Sequence, residues 1–229
     1  WRKVLNWNFS EPKVEWFAGA KLNITENYIS IDAGSNVGIF YGVQTLKQLI
    51  AGKKAIPTAE INDSPAFVWR GYMVDVGRNF QSIELLKQQI DIMAAYKLNV
   101  FHFHFTEDIA WRLAIKKYPK LTDSANMLRN KGKFYTEAEF KDLIAYCKDR
   151  YITLVPEIDM PGHSAAFKRA MGVDMQSDSG VHILKNILTE FFTTYDLPYF
   201  HIGADEVKIT NKNFVPEITA FVESFGKKT

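Results

Sequence analysis

The sequence predicts an α/β fold in which most of the chain forms a parallel sheet covered by helices. Extended and helical segments alternate four times after residue 65, and polar residues collect where the extended segments end. Hydrophobic residues make up 47% of the 229 positions, which is enough for a substantial core. Because strands that alternate with helices form parallel sheets through right-handed crossovers, two architectures remain: an open doubly wound sheet and a barrel.

The composition excludes several classes of function. Lys and Arg total 28 and Asp and Glu total 26, so the formal net charge is +2 and nucleic acid is not an expected partner. Charged residues interrupt each apolar run before the ~20 residues that a membrane span needs. Cys147 is the single cysteine and lies in the apolar stripe of a predicted helix, which indicates a core position rather than a nucleophile.

The beginning of the chain has the pattern of a small α+β domain. Apolar and polar residues alternate on both sides of Glu26-Asn27, which is typical of a β-hairpin with strands at 21–25 and 28–32. Apolar residues then follow helical spacing over 37–50, and Gly52 is placed to end that helix.

A domain boundary is predicted near residue 65. Pro57 restricts the stretch 55–61 to an edge strand or a loop. The turn-forming cluster Asn62-Asp63-Ser64-Pro65 follows it directly. We therefore expect a small domain over 1–64 and a second domain over 65–229.

The second domain contains four strand-and-helix units. Extended segments are predicted at 67–76, 99–105, 152–158 and 199–203, and helices at 82–96, 136–149, 181–194 and 216–225. Thr136 and Glu139 have the spacing of a capping box. A complete eight-unit barrel takes about 250 residues, so a barrel of this length would hold about half of the units. No glycine-rich phosphate loop follows a predicted strand, which disfavours nucleotide binding.

The strongest candidate site is the motif at 201–206, His-Ile-Gly-Ala-Asp-Glu. Here a short apolar strand ends in the adjacent acids Asp205 and Glu206. Carboxylates at the carboxyl end of a parallel strand face the place where such folds bind substrate. The alternative is a pair of solvated acids that cap the next helix.

A second candidate site follows the third predicted strand. Strand alternation places Glu157 and Asp159 on one face, and the turn at Pro161-Gly162 lets His163 point back over the strand ends. The alternative is a structural loop held by hydrogen bonds of the Asp and His side chains.

Three weaker signals remain ambiguous from the residues alone. His102 and His104 share a strand face, but His-x-His is a weak metal signal, and satisfied interior histidines are the favoured interpretation. Arg78 is either a fork-shaped clamp for hydroxyl groups or a salt-bridge partner. Trp69 and Trp111 could offer flat faces to sugars, yet core packing is favoured for both.

Four motifs in one order resemble glycoside hydrolase family 20, the β-N-acetylhexosaminidases. They lie at 69–80 (WRGYMVDVGRNF), 96–104 (YKLNVFHFH), 160–163 (MPGH) and 201–206 (HIGADE). The resemblance runs from about Gly38 to the end of the sequence. It implies a small α+β domain followed by a (β/α)8 barrel, of which this sequence holds the first four units.

The resemblance implies a function and a role for each site residue. The reaction would remove terminal β-linked GlcNAc or GalNAc from an oligosaccharide or glycoconjugate, with retention and without a metal or an organic cofactor. In this mechanism the substrate's 2-acetamido oxygen attacks the anomeric carbon, Asp205 holds the acetamido group and Glu206 protonates the leaving oxygen. The resemblance further implies that His163 and Glu107 support Glu206, that Arg78 binds ring hydroxyls, and that the protein is secreted or periplasmic.

Departures from the family pattern lead to further expectations. The family usually has Gly at the position of Ala204 and Asp at that of Glu107, whose extra methylene would have to retract. The rest of the family's sugar pocket comes from the second half of the barrel. This chain alone is therefore expected to have little activity and, through its open strand edges, to self-associate.

Two other functions remain as alternatives. A metal-dependent amidohydrolase could use His102, His104, His163 and Asp159, and metal content would identify it. A carbohydrate-binding fragment would hold sugar without turnover, and kinetics beside binding measurements would identify that.

Overall fold

The computed structural model describes the backbone of residues 4–9 and the whole of residues 18–229. These residues divide into two compact units. The first contains the chain up to Arg70 together with Asp91–Asn99, and the second contains Gly71–Ile90 and Val100–Thr229. No helix among the described residues combines the length and the apolar character that a membrane crossing requires.

The first unit contains a four-stranded sheet and one helix. In spatial order the strands are β1 (Val4–Phe9), β3 (Tyr28–Ala33), β2 (Ala20–Ile24) and β4 (Ala59–Asp63), and α1 spans Asn36–Ile50. β1 and β3 are parallel, whereas β2 is antiparallel to both β3 and β4. The predicted hairpin, the helix and the edge position of the strand after Pro57 are thereby confirmed.

Two glycines let α1 lie close to its sheet. A Cβ at Gly38 would be 2.5 Å from the carbonyl oxygen of Gly19, and one at Gly42 would be 2.5 Å from Cγ2 of Ile31. The Ser35 hydroxyl caps the helix by accepting the Gly38 N–H at 3.1 Å. The core of this unit consists of seven apolar residues from β2, β3 and α1: Ala20, Leu22, Ile24, Ile29, Ile31, Ala33 and Leu46.

The second unit is built on a parallel sheet. Its regular strands are β5 (Gly71–Asp75), β6 (Val100–His104) and β7 (Thr153–Glu157), in that spatial order. The helices are α2 (Ile83–Ala95), whose residues after Ile90 belong to the first unit, and α3 (Glu137–Lys148), α4 (Ala165–Met171), α5 (Asp178–Thr194) and α6 (Phe214–Glu223). Short 3-10 helices lie at Pro119–Thr122 and Ser124–Asn126. The capping box of Thr136 and Glu139 is confirmed.

The fourth predicted strand lies beside β7, but it pairs through single bridges instead of a continuous ladder. Glu157 forms a parallel bridge with His201, and Tyr199 forms one with Lys228. The His201 N–H donates to the carbonyl of Pro156 at 2.9 Å, and the Met160 N–H donates to that of Ile202 at 2.9 Å. The ladder stays short because a turn with left-handed backbone begins at Gly203.

Aromatic residues fill the core of the second unit. Five phenylalanines from β6, α3 and α5 and from the residue after β6 are at most 1% exposed: Phe101, Phe103, Phe105, Phe140 and Phe191. Trp111 and Cys147 are buried as expected, and burial raises the pKa of the Cys147 thiol to about 12. The prediction for Trp69 was wrong, since 54% of this residue is exposed.

Candidate active site

The loops after the four parallel strands bring the predicted site residues to one edge of the second unit. Asp75 ends β5 and Arg78 follows it, while Glu107 lies just beyond β6. His163 follows β7, and the Asp205-Glu206 pair follows the fourth strand segment. Because all of these strands run parallel, their carboxyl ends meet at the same edge, which is where such folds bind ligands.

Arg78 is held between two carboxylates. Its Nη1 lies 2.7 Å from Oδ2 of Asp75, and its Nη2 lies 2.7 Å from Oε1 of Glu107. The backbone N–H of Arg78 also donates to Oδ1 of Asp75 at 2.9 Å. Partial burial opposes the charged guanidinium, but the Asp75 hydrogen bond and the Glu107 charge outweigh it, so the pKa of Arg78 is raised. About half of the Arg78 side chain stays exposed.

Glu107 is buried, and its side chain folds back toward the backbone of the next residue. Its Oε2 accepts the N–H of Asp108 at 2.8 Å, while Oε1 faces Arg78 and lies 3.1 Å from Nδ1 of His163. A Cβ at Gly77 would be 2.7 Å from Cβ and 2.9 Å from Cγ of Glu107. The absence of a side chain at Gly77 therefore leaves room for the Cβ and Cγ of Glu107.

His163 lies between Glu107 and Glu206. While Nδ1 faces Glu107, Nε2 is 3.7 Å from Oε2 of Glu206 and 3.9 Å from Oδ2 of Asp159. The Nη2 atom of Arg78 is also 3.4 Å from Nδ1 of His163. Four of the predicted residues thus form one connected set of polar contacts, which runs from Arg78 through Glu107 and His163 to Glu206.

The turn that carries the two acids has unusual backbone geometry. Gly203, Ala204 and Glu206 have φ values of 65°, 82° and 52°. For residues with a side chain, such conformations cost about 1 to 3 kcal/mol each and persist only where the surroundings impose them. Oδ1 of Asp159 accepts the Ala204 N–H at 3.1 Å and lies 1.9 Å from where a Cβ of Gly203 would be. The buried Asp159 carboxylate therefore fixes this turn, and glycine would suit the Ala204 position.

Both acids at the tip of the turn are exposed in this chain. The Glu206 side chain is 77% accessible, and Asp205 is also in the exposed class. The structure brings Glu206 to His163, with 3.7 Å between Nε2 of the histidine and Oε2 of the glutamate. A substrate bound at this edge would meet both carboxylates, but the described residues do not enclose it.

A second polar cluster lies beneath this edge and is centred on Glu157. His102 Nε2 is 2.5 Å and His104 Nδ1 is 3.0 Å from Oε2 of this buried carboxylate, and His201 Nδ1 is 3.2 Å from Oε1. Burial disfavours the charged Glu157, but the hydrogen bond from His102 and the proximity of the His104 and His201 rings outweigh it and lower the pKa of the carboxyl. His102 and His104 share a face as predicted, and both face the same carboxylate.

The cluster predicts a specific pH dependence of stability. Burial opposes the charged form of His104, but Glu157 outweighs it, and Glu157 likewise raises the pKa of His201. Histidines with raised pKa values stabilise the fold below about pH 6.5 and lose that contribution as the pH rises through their folded-state values. The lowered pKa of Glu157 contributes stability above about pH 4.3 that is lost on acidification. We therefore expect the free energy of unfolding to be highest at about pH 4.5 to 6.5.

Urea denaturation at several pH values measures this dependence. Glu157→Gln should flatten the decline above pH 6.5, because the neutral amide no longer favours protonated histidines. Glu190→Gln is a suitable control, since the Glu190 carboxylate binds the backbone N–H groups of Lys116 and Lys117. A wild-type stability that stays constant or increases from pH 6 to 8 would contradict the prediction.

Within the part of the chain that the structure describes, three groups of side chains have the chemistry of metal ligands: His102, Glu157 and His201; Asp75, His104 and Glu107; and Glu107, Asp108 and His163. Arg78 and neighbouring histidines already lie against the carboxylates of these groups, but neither ring nitrogen of His104 has a well-aligned hydrogen-bond partner among the described residues. The Arg78 guanidinium lies 2.7 Å from Glu107, a member of the second and third groups, and a metal cation there would face this fixed positive charge. The first group is the carboxylate and histidine cluster described above.

Sequence reasoning missed several residues that organise the site. Arg112 is fully buried behind the loop that carries Arg78. The helix α4 was not predicted, because its first N–H group is capped from a distant segment: Ala165 N–H donates to Oδ1 of Asp108 at 2.9 Å. The role of Glu157 as a shared histidine partner was also missed, although strand alternation had placed it on one face with Asp159.

Comparison with family models gives two matches to one family. The model described as "Glycosyl hydrolase family 20, catalytic domain" matches residues 67–178. The model described as "Glycosyl hydrolase family 20, domain 2" matches residues 19–64. Together they cover most of the chain, in the order that the resemblance implies.

Individual relatives agree with the family models. A β-hexosaminidase of Porphyromonas gingivalis is 39% identical over 225 residues, which is 82% of this chain and 29% of the relative. A β-N-acetylhexosaminidase structure from Bacteroides fragilis superposes with a TM-score of 0.86 at 30% identity, over 98% of this chain and 53% of that one. The structure of an exo-β-N-acetylglucosaminidase of Vibrio harveyi with N-acetylglucosamine superposes with a TM-score of 0.80 at 30% identity. That match covers 98% of this chain and 41% of the relative. The chain thus spans about half or less of these relatives.

Proposed function

Because the chain belongs to glycosyl hydrolase family 20, we propose that the intact protein is a β-N-acetylhexosaminidase. By intact protein we mean this sequence together with any further chain that continues it. The proposed reaction removes a terminal β-linked N-acetylhexosamine from an oligosaccharide or glycoconjugate, with retention of configuration. The observation that carries the proposal is the adjacent pair Asp205-Glu206 at the end of the fourth strand, beside the connected set of Arg78, Glu107 and His163.

Adjacent acids favour a mechanism in which the substrate supplies the nucleophile. Ordinary retaining glycosidases place two carboxyl groups about 5 to 5.5 Å apart on either side of the scissile bond, and family 20 is an exception. In our proposal the 2-acetamido oxygen attacks the anomeric carbon, and the bond to the leaving oxygen breaks as Glu206 protonates that oxygen. Water then attacks the anomeric carbon of the oxazolinium ion and gives its proton to Glu206.

The neighbouring residues support this division of roles. Asp205 would accept the acetamido N–H and stabilise the positive charge that develops on the ring. His163 would orient the Glu206 carboxyl, and Glu107 would hold His163 through the 3.1 Å contact. The Arg78 side chain stays half exposed while Asp75 and Glu107 fix it, so it would bind ring hydroxyls.

The expected substrate carries a terminal N-acetylhexosamine. The Vibrio harveyi relative was solved with N-acetylglucosamine, and we propose the same class of sugar here. GalNAc remains in the proposal, because the described residues surround only part of a sugar. A secreted or periplasmic location is proposed from the family resemblance alone.

A pair of chromogenic substrates tests the proposed function. The intact protein should hydrolyse a nitrophenyl N-acetyl-β-glucosaminide at least about 10³-fold faster than the nitrophenyl β-glucoside that lacks the acetamido group, because only the first carries the intramolecular nucleophile. A chelator should leave the rate unchanged. Equal rates would refute substrate assistance, and loss of activity with the chelator would favour the metal-dependent alternative.

The same assay also tests whether the 229-residue chain is active on its own. We expect little or no turnover, because the exposed Glu206 cannot hold the substrate away from water.

We also propose that this chain self-associates, since Tyr72 and Met73 on β5 are 43% and 49% exposed along an apolar strand. Light scattering measures this self-association. Sugar binding without turnover by the intact protein would instead favour a binding function.

A further inference from the structure

Arg112 is a fully buried cation whose partners are backbone carbonyls. Its Nε donates to Val76 at 3.1 Å, and its Nη2 donates to Gly77 at 3.3 Å and Arg129 at 2.9 Å. Its Nη1 donates to Asn130 at 3.1 Å and Lys133 at 2.9 Å. Nη1 also lies 3.4 Å from Sδ of Met127. A guanidinium has five N–H donors, and five carbonyl oxygens surround this one.

The five carbonyls belong to two segments of the second unit. Val76 and Gly77 lie in the Arg78 segment (residues 76–81), directly before Arg78, and the other three lie in the clasp segment (residues 127–135). Side chains make further bonds between the same two segments. Asn130 Oδ1 accepts the Phe80 N–H at 3.2 Å, Arg129 Nη1 donates to Asn79 Oδ1 at 2.9 Å, and the Tyr135 hydroxyl donates to the Gln81 carbonyl at 2.7 Å.

We propose that Arg112 is a positioning residue that sets the Arg78 guanidinium at the candidate site by tying the Arg78 segment to the clasp segment. The inference rests on the proposed function. Asp75 and Glu107 hold the Arg78 side chain from one side. Arg112 fixes the backbone of the preceding two residues from the other side, so the position of Arg78 depends on both.

The choice of residue at this place fits a positioning role better than simple filling of space. An apolar side chain of similar size would leave the carbonyls of both segments without donors, which is costly in a buried place. Lysine keeps the charge but has a single nitrogen with three donors and no planar fork, so it cannot bond all five carbonyls at once. Arg112→Lys should therefore loosen the link between the segments while it retains the positive charge.

A double-mutant cycle in the intact protein separates positioning from general stabilisation. With a nitrophenyl N-acetyl-β-glucosaminide, Arg112→Lys should raise KM about tenfold and change kcat much less, because Arg78 binds the sugar in both ground and transition states. In an Arg78→Lys background the same change should raise KM by less than about twofold, because the residue through which it acts is already altered. The pH dependence of kcat should keep its shape. Effects on KM that multiply in the double variant would overturn the proposal.

Two further variants keep the test decisive if Arg112→Lys does not fold. Asn130→Gly leaves the backbone carbonyl that binds Arg112, suits the left-handed φ of 46° at this position, and removes the side-chain bond to Phe80. Asn130→Gly should raise KM by a smaller factor than Arg112→Lys does, and in the Arg78→Lys background it should leave KM unchanged. Arg150→Lys is the matched control. Arg150 follows α3 and donates to the carbonyl of Tyr146 within that helix, so this substitution should leave KM unchanged.

The outcomes distinguish this inference from the proposed function. A wild-type protein without N-acetylhexosaminidase activity refutes the proposed function. If the wild-type protein is active, two results refute the positioning role alone. The Arg112 and Asn130 variants could have an unchanged KM, or their effects on KM could multiply with that of Arg78→Lys.

Discussion

Replacing Glu206 by glutamine in the intact protein should lower kcat on an N-acetylhexosaminide with a poor leaving group by about 10² to 10⁴. Glutamine keeps the shape of the side chain but cannot donate the proton that the leaving oxygen needs. An activated nitrophenyl leaving group needs less protonation, so its rate should fall much less. Kinetics on an N-acetylglucosamine disaccharide and on the nitrophenyl glycoside measure both effects.

The Glu206 prediction has an internal control. Position 206 has a φ of 52°, and glutamine has no greater difficulty with this backbone than glutamate, so the turn should be kept. Glu223→Gln changes a glutamate at the end of α6 and should leave both rates unaltered. Equal losses on good and poor leaving groups would argue against Glu206 as the general acid and would point to a role in binding.

The second large effect is expected at Asp205. A cyclic thiazoline resembles the oxazolinium intermediate and should bind the wild-type protein tightly, because a group that stabilises developing charge acts most strongly on such a mimic. Asp205→Ala should weaken this binding by about 10² to 10³. Inhibition constants or calorimetry with the intact protein measure the change.

A control for Asp205 comes from the same unit. Asp196 is a fully exposed aspartate that pairs with Lys227, and Asp196→Ala should bind the thiazoline as the wild type does. Undiminished binding by Asp205→Ala would remove Asp205 from the acetamido role, while the assignment of Glu206 could still stand.

Local sequence patterns were sufficient for most elements of the fold. The hairpin around Glu26-Asn27, the helix before Gly52 and the capping box of Thr136 and Glu139 all depend on residues within a few positions of one another. Short-range periodicity and capping therefore predict them. The helix α4 has no such local signal, because Asp108 caps it from more than fifty residues away.

The family resemblance also implied that His163 and Glu107 would support Glu206. Arg78, Glu107, His163 and Glu206 each follow a different parallel strand, and the carboxyl ends of such strands lie at one edge. For this reason their convergence could be expected without coordinates. The sequence left open whether Arg78 was a clamp or an ion-pair partner, and the structure shows a side chain that is paired with two carboxylates and still half exposed.

By itself, then, the sequence determined the type of fold, the order of its elements and the residues that gather at the strand ends, because each of these follows from neighbours along the chain. Only the tertiary structure decided that Arg112 is a buried cation among five carbonyls and that three histidine rings contact the Glu157 carboxylate. It also decided that Asp159 fixes the turn at Ala204. The physical reason is that a buried charge is stable only where distant segments supply its hydrogen-bond partners, and the residues of one segment do not encode which other segments will lie beside it.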